Sequence, residues 1–180
     1  FRILLILLFL FSCNRNSKKQ GSSILSYVDN EITGSPLIIE ISENEKMSIK
    51  IQSDTLYKFK NGNILMFGGV YADLFDSKGI KSSEMHSDTA FIFNSSDSVK
   101  AYGNIEIESI RGSKLLTSEI VLYNDVKLVH SDANVIFTSN KKDTLYGKGF
   151  WSNYDMSKSK ILKPTGVIDN NEWVSSIKSW

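Results

Sequence analysis

Between residues 47 and 138 apolar side chains return at every second position, and that period constrains the fold more than any other feature of the chain. In "MSIKI" Met47, Ile49 and Ile51 alternate with polar neighbours, and in "VYADLF" Val70, Ala72 and Leu74 do the same. In "VKAYGNIEIES" Val99, Ala101, Ile105 and Ile107 share one face, while Lys100, Asn104, Glu106 and Glu108 take the other. Successive side chains of an extended strand point to opposite faces, so this is the pattern of half-buried strands. "TAFIF", "EIVLY", "VKLV" and "ANVIFTS" add short segments rich in branched and aromatic residues. Turn-forming residues separate them at 61–63, 77–79, 94–97, 111–113, 124–125 and 140–143. Strands of roughly five to eight residues joined by such turns predict an antiparallel all-β body. Helices are expected only at the ends, around 22–29 and 171–178.

The strands also repeat. "GGVYADLFDSKGIKSSEMHSDTAFIF" aligns with "GNIEIESIRGSKLLTSEIVLY": a glycine, an alternating strand, a turn glycine (Gly79, then Gly112), a Ser/Thr step and another strand. Gly69 and Gly103 lead these units and Gly149 leads a weaker third, which predicts stacked hairpins whose glycines let the strand bend or bulge. A stack or twisted sandwich of hairpins follows.

The N-terminal end carries a different signal. Residues 3–11 are wholly apolar, far short of the ~20 needed to span a bilayer as a helix but of the length of a signal-peptide hydrophobic region. The run stops at Leu10-Phe11-Ser12-Cys13, which resembles a bacterial lipobox with Cys13 as the acylated residue. Cys13 is also the only cysteine, so no disulfide supports the fold and a hydrophobic core must. Residues 1–12 read as a signal peptide, and the polar stretch "NRNSKKQGSS" opens a lipid-anchored tether over 13–37. Beyond the signal, roughly 165 residues remain, a normal single-domain size. The formal net charge is +1, of which Arg2 contributes one, so the rest is neutral and gives no support for nucleic-acid binding.

Catalytic signatures are missing from the sequence. His86 and His130 stand alone, without paired metal-ligand spacing, and there is no nucleophile elbow or phosphate loop. Asp88, Asp97, Asp125 and Asp143 sit in or near turns, where aspartate bonds the local backbone. No enzyme activity, metal or cofactor is expected.

Taken in order, the membrane anchor, the polar tether and the hairpins "SDTLY…GGVYADLFDSKGIKSSEMHSDTAFIF…AYGNIEIES…KLLTSEIVLY…DTLYGKGFWSN" resemble the LptC family, the periplasmic component of lipopolysaccharide export, over roughly residues 40–168. The resemblance implies an OstA-like β-jellyroll over 38–168, followed by a tail at 169–180. It also implies a non-enzymatic relay that accepts lipopolysaccharide from an inner-membrane ABC transporter and passes it to a periplasmic β-jellyroll bridge protein. Such a relay needs an apolar cleft for acyl chains. Ile49, Ile51, Val70, Ala72, Leu74, Phe91, Phe93, Ile105, Ile107, Leu122, Val135 and Phe137 are its candidate lining. Lys58, Lys60, Lys100, Arg111 and Lys114 are candidates for a rim that meets phosphate. The resemblance implies edge-to-edge joining of successive jellyrolls, and the segments placed for it are 36–41 and 160–168. Trp173, Ile177 and Trp180 share one face of the expected C-terminal helix, fit to cap the sheet or to dock on a partner. The competing expectation is a structural or adhesive envelope lipoprotein in which the same residues fill a closed core.

Overall fold

The computed structural model describes residues 28–165. Cys13, the apolar run, the first part of the tether and the C-terminal helix expectation lie outside the described residues. Nine strands follow one another: β1 (Val28–Glu43), β2 (Lys46–Phe59), β3 (Ile64–Phe75), β4 (Lys81–Phe93), β5 (Ser98–Ser109), β6 (Lys114–Tyr123), β7 (Leu128–Thr138), β8 (Thr144–Asn153) and β9 (Ser159–Pro164). Each pairs antiparallel with its neighbours in sequence, so the sheet order is β1 through β9 without a crossover. The all-β expectation holds for the described residues, which contain no helix. The crossover connections of a jellyroll are not among them: one continuous meander takes the place of two hydrogen-bonded sheets. β1 begins at Val28, inside the stretch read as tether and across residues read as helix.

Hairpin loops fall on all six turn signals, and two unforeseen ones follow β1 and β8, the first holding Asn44 and Glu45 at positive φ. Strands run longer than the sequence suggested because the glycines thought to begin each unit lie in mid-strand. Gly68 and Gly69 in β3 and Gly103 in β5 take positive φ there, beside a one-residue slip in the pairing. Similar irregularities interrupt the middle of every pairing from β1–β2 to β7–β8. A bulge adds a residue on one strand and bends the ladder without ending it. Aligned across seven pairings, the bends form a fold line. Gly149 lies in β8, out of step with Gly69 and Gly103 in β3 and β5, which explains why the third repeat was faint.

Contacts between distant strands show that the sheet doubles over along this line. Neighbouring strands sit about 4.8 Å apart, so β2 and β6 would be separated by roughly 19 Å in a flat sheet. Yet the Ser48 hydroxyl on β2 donates to the Asn124 side chain just after β6. Four strands apart again, the Ser83 hydroxyl on β4 donates to the Tyr154 carbonyl beyond β8. Phe137 and Phe150, on opposite sides of the fold line in the β7–β8 hairpin, bring their rings to 5.4 Å. Two layers thus arise from one sheet, each contributed by one half of every long strand.

The inner faces of both layers form a single core from Ile49 and Ile51 on β2 to Phe150 on β8 and Ile161 on β9. In each pairing from β2–β3 to β7–β8 the extra residue sits on the odd-numbered strand, and along the shorter, even-numbered strand the inward parity flips. β2 turns Ile49, Ile51 and Ser53 inward and then Leu56, β4 turns Met85 and Ser87 and then Ala90, and β6 turns Leu115 and then Ile120 and Leu122. In β5 and β7 one parity persists throughout, with Val99, Ala101, Ile105 and Ile107, then Val129, Ser131, Val135 and Phe137 facing in.

Candidate functional site: an apolar interior with two strand edges

Ten of the twelve candidate lining residues lie in this interior, none more than 3 % exposed: Ile49, Ile51, Val70, Ala72, Leu74, Ile105, Ile107, Leu122, Val135 and Phe137. Phe91 and Phe93 do not. The parity flip in β4 turns Ala90 and Ile92 inward, which puts both phenylalanines on the outer face. There they are half-buried, 4.6 Å apart between ring centroids, with Phe91 also 5.9 Å from Phe59. An uninterrupted period of two fails at the bulge, and with it Leu56 escaped the expected lining; Met85 and Ile120, in step with Phe91 and Leu122 respectively, were left out for no reason of parity. No glycine marks the flip in β4 itself: the bulge glycines are on β3 and β5, so the signal lay in the partner strands.

Burial is graded along the interior. Side chains from β2 to β8 are closed off, whereas Leu37, Ile39 and Ile41 on β1 and Ile64 and Ile92 at the adjoining hairpins are only partly buried, and Ile32 is 44 % exposed. The apolar interior therefore meets solvent at its β1 end. At the other end Leu145 on β8 and Ile161 on β9 remain buried.

The ends of the two layers are joined by polar groups. Lys127 donates to Glu43 at 3.0 Å and to the Asn124 carbonyl at 2.7 Å, and it also meets the Ser48 hydroxyl at 2.5 Å. Arg111 reaches Asp155 at 3.6 Å. A cleft of about 470 Å³ beside these contacts is lined by Glu43, Lys46, Asp76, Asp125, Lys127 and Asp155 among others, too polar a lining for hydrocarbon. Tyr154, at its edge, is almost wholly buried and donates to the Tyr123 carbonyl at 3.3 Å. Burial raises its phenol far above the usual tyrosine range, and the carboxylates of Asp125 and Glu43 push the same way. Every buried side-chain nitrogen and oxygen among the described residues has a hydrogen-bond partner, so the core hides no orphan polar group awaiting a ligand.

The candidate rim disperses. Arg111 is engaged with Asp155, and Lys114 with Glu106 at 2.6 Å on the outer face, where that bond raises the Lys114 pKa. Lys100 lies 5.5 Å over the Phe93 ring, also outside, and Lys60 is in an exposed loop. Only Lys58 shares the inward face at the open end, in register with Ile64 and exposed. His86 packs on Tyr71 and His130 on Trp151, on outer faces of opposite layers. Among the described residues no group of three His, Cys, Asp or Glu side chains is placed to hold a metal ion.

Among the described residues both outermost strands present a free side: β1 pairs only with β2, and β9 only with β8. The segments expected to join partners, 36–41 and the start of 160–168, lie in these two strands. Such edges are templates for another chain's strand. Pro164 ends β9, in register with Gly147, where a missing N–H limits further pairing.

No curated protein matches the chain. The family model described as lipopolysaccharide-assembly, LptC-related, matches residues 3–166, almost the whole chain, and the protein accordingly belongs to the LptC family, with a role in lipopolysaccharide transport.

Proposed function

We propose that the protein is a membrane-anchored periplasmic relay, held in the inner membrane through acylated Cys13, that receives lipopolysaccharide from an ABC transporter and hands it to a periplasmic β-jellyroll bridge protein. The observation that carries this reading is an apolar interior crossing nine strands, open to solvent beside β1, with a strand edge at either end that no other described strand covers. Acyl chains enter between the layers at Leu37, Ile39, Ile41, Ile64 and Ile92, and phosphates of the headgroup stay outside, near Lys58. β1 meets the transporter and β9 the bridge, each by main-chain hydrogen bonds that continue the sheet and keep the apolar lining continuous across the joint.

Photoreactive residues at Ile41, Ile64 and Ile105, one at a time in cells, test the reading against a control at Glu84 on the outer face. Crosslinks to lipopolysaccharide from the three inner positions and none from Glu84 are expected. Silence at all inner positions in a folded protein favours the second reading, an anchored scaffold. The near-complete burial of Ile49, Ile51, Ile107 and Leu122 supports that alternative.

A further inference from the structure

A groove of about 530 Å³ runs over the outer face of β6, β7 and β8, where Ile136 is 37 % and Tyr146 50 % exposed. Leu116, Ile136 and Tyr146 lie side by side along it: Leu116 is in register with Ile136 and Ile136 with Tyr146, and each alternates with a buried neighbour, Leu115, Phe137 and Leu145. Thr165, where the described chain stops, is part of the groove wall and donates its backbone N–H to the Tyr146 carbonyl at 2.8 Å. The chain therefore leaves the sheet at the mouth of this groove.

Charges frame the row at both ends. Beside β9, Lys148 lines the groove and stands in register with Lys163. Like charges directly opposite each other on neighbouring strands repel. Neither lysine has an ion-pair partner among the described residues, and Asp132 on β7 meets His130 instead, at 3.2 Å. Beyond Leu116 the row reaches Glu106, in register with it and bound to Lys114, and the exposed Glu108 lies on the same strand.

The sequence after Thr165 matches this face in order. Asp169 and Glu172 come first, then Trp173, Ile177 and Trp180, with Lys178 among them. On one side of the helix expected around 171–178, those three apolar residues spread over about 10 Å. Leu116 and Tyr146, two strand spacings apart, are separated by about 10 Å as well. Laid from β8 toward β5, such a segment brings its acids beside Lys148 and Lys163, and Lys178 toward Glu106 and Glu108.

We propose that residues 166–180 of the chain itself cover this groove, with Trp173, Ile177 and Trp180 against Tyr146, Ile136 and Leu116, and with Asp169 and Glu172 on Lys148 and Lys163. So seated, the segment fastens the six-residue β9 at the end where Thr165 leaves it. It crosses the outer face of the sheet and leaves the free edge of β9 uncovered.

A benzophenone side chain at Ile136 in the full chain tests this, with Tyr71, exposed on the same layer but five strands away on β3, as the control. After irradiation the products are separated by size and the linked peptides sequenced by mass spectrometry. The expected result is a monomer-sized product joining position 136 to a residue within 173–180, and no such link from Tyr71. A link between two copies, a link to lipid or to another protein, or no link in a folded chain overturns the proposal. Trp151, Trp173 and Trp180 are the tryptophans of the sequence, so W151F/W180F reports from Trp173 alone. Its acrylamide quenching constant is expected to be several-fold below that of the same variant in urea, and to rise toward the urea value with Lys148→Glu and Lys163→Glu. A Trp173 as accessible in buffer as in urea overturns the docking, and a shielded Trp173 indifferent to the charge reversal overturns the lysine contacts.

Discussion

Tyr154 shows how one buried polar residue ties the two layers together. Its carbonyl accepts from Ser83 on β4 and its hydroxyl donates to the carbonyl of Tyr123 on β6, so a single side chain and its backbone touch both halves of the doubled sheet. The raised phenol pKa makes this residue a pH-dependent element. Below pH ~10 the phenol is protonated whether the chain is folded or not, and its contribution is fully present. Above that the unfolded chain releases the proton while the folded one keeps it, so stability falls as pH rises. Tyr154→Phe is expected to lower stability at pH 7 by about 1 kcal/mol, the worth of one hydrogen bond. It should also flatten the alkaline loss by up to about 1.4 kcal/mol per pH unit, one proton's linkage. Urea midpoints at pH 8 and pH 11 check this: parallel losses in the two proteins would remove Tyr154 from the alkaline transition.

At the scale of the strands, β9 depends on a residue without a side chain. A Cβ built on Gly147 would come within 2.6 Å of the Lys163 carbonyl oxygen and would also overlap the Ile161 side chain, both on the neighbouring strand. Backbone cannot retreat as a flexible side chain can, so Gly147→Ala should push β9 off β8 at a cost of about 1–3 kcal/mol. Hydrogen exchange at the amides of Ile161 and Lys163 should accelerate, and joining at this edge should weaken in step. Unchanged protection would mean that the strand tolerates the methyl group. That pairing was out of sight in the sequence, as was much else that involves two strands at once. The strands and hairpin loops were legible because alternation and turn chemistry are local, and alternation alone placed ten of the twelve candidate residues on the inward face where they lie. Phe91 and Phe93 were misplaced because their facing depends on a bulge enforced by Gly68–Gly69 and Gly103 on the strands beside β4. The rim lysines scattered for a related reason: proximity to a turn says nothing about which layer, or which face of it, the turn belongs to.

For the molecule as a whole, the question is whether the layers can part. They are continuous at the fold line and joined at their far ends by Lys127, Glu43, Ser48 and Asn124. Packed side chains fill the space between. Acyl chains can enter only if those ends separate or if the open β1 side widens. The two routes make different demands on Lys127. Lys127→Met keeps the stem but removes the donor, leaving Glu43 and the Asn124 carbonyl short of a partner, and should cost about 1–3 kcal/mol. If the far ends open during transport, the variant takes up lipopolysaccharide faster than the parent chain, measured by the rate of crosslinking from Ile105 after mixing. If lipid enters beside β1, uptake at Ile41 and Ile105 is unchanged while the urea midpoint falls. A scaffold with a closed core shows the stability loss and no crosslink from either position. The same substitution thus separates a clamshell from a side-loaded groove, and both from a core that never opens.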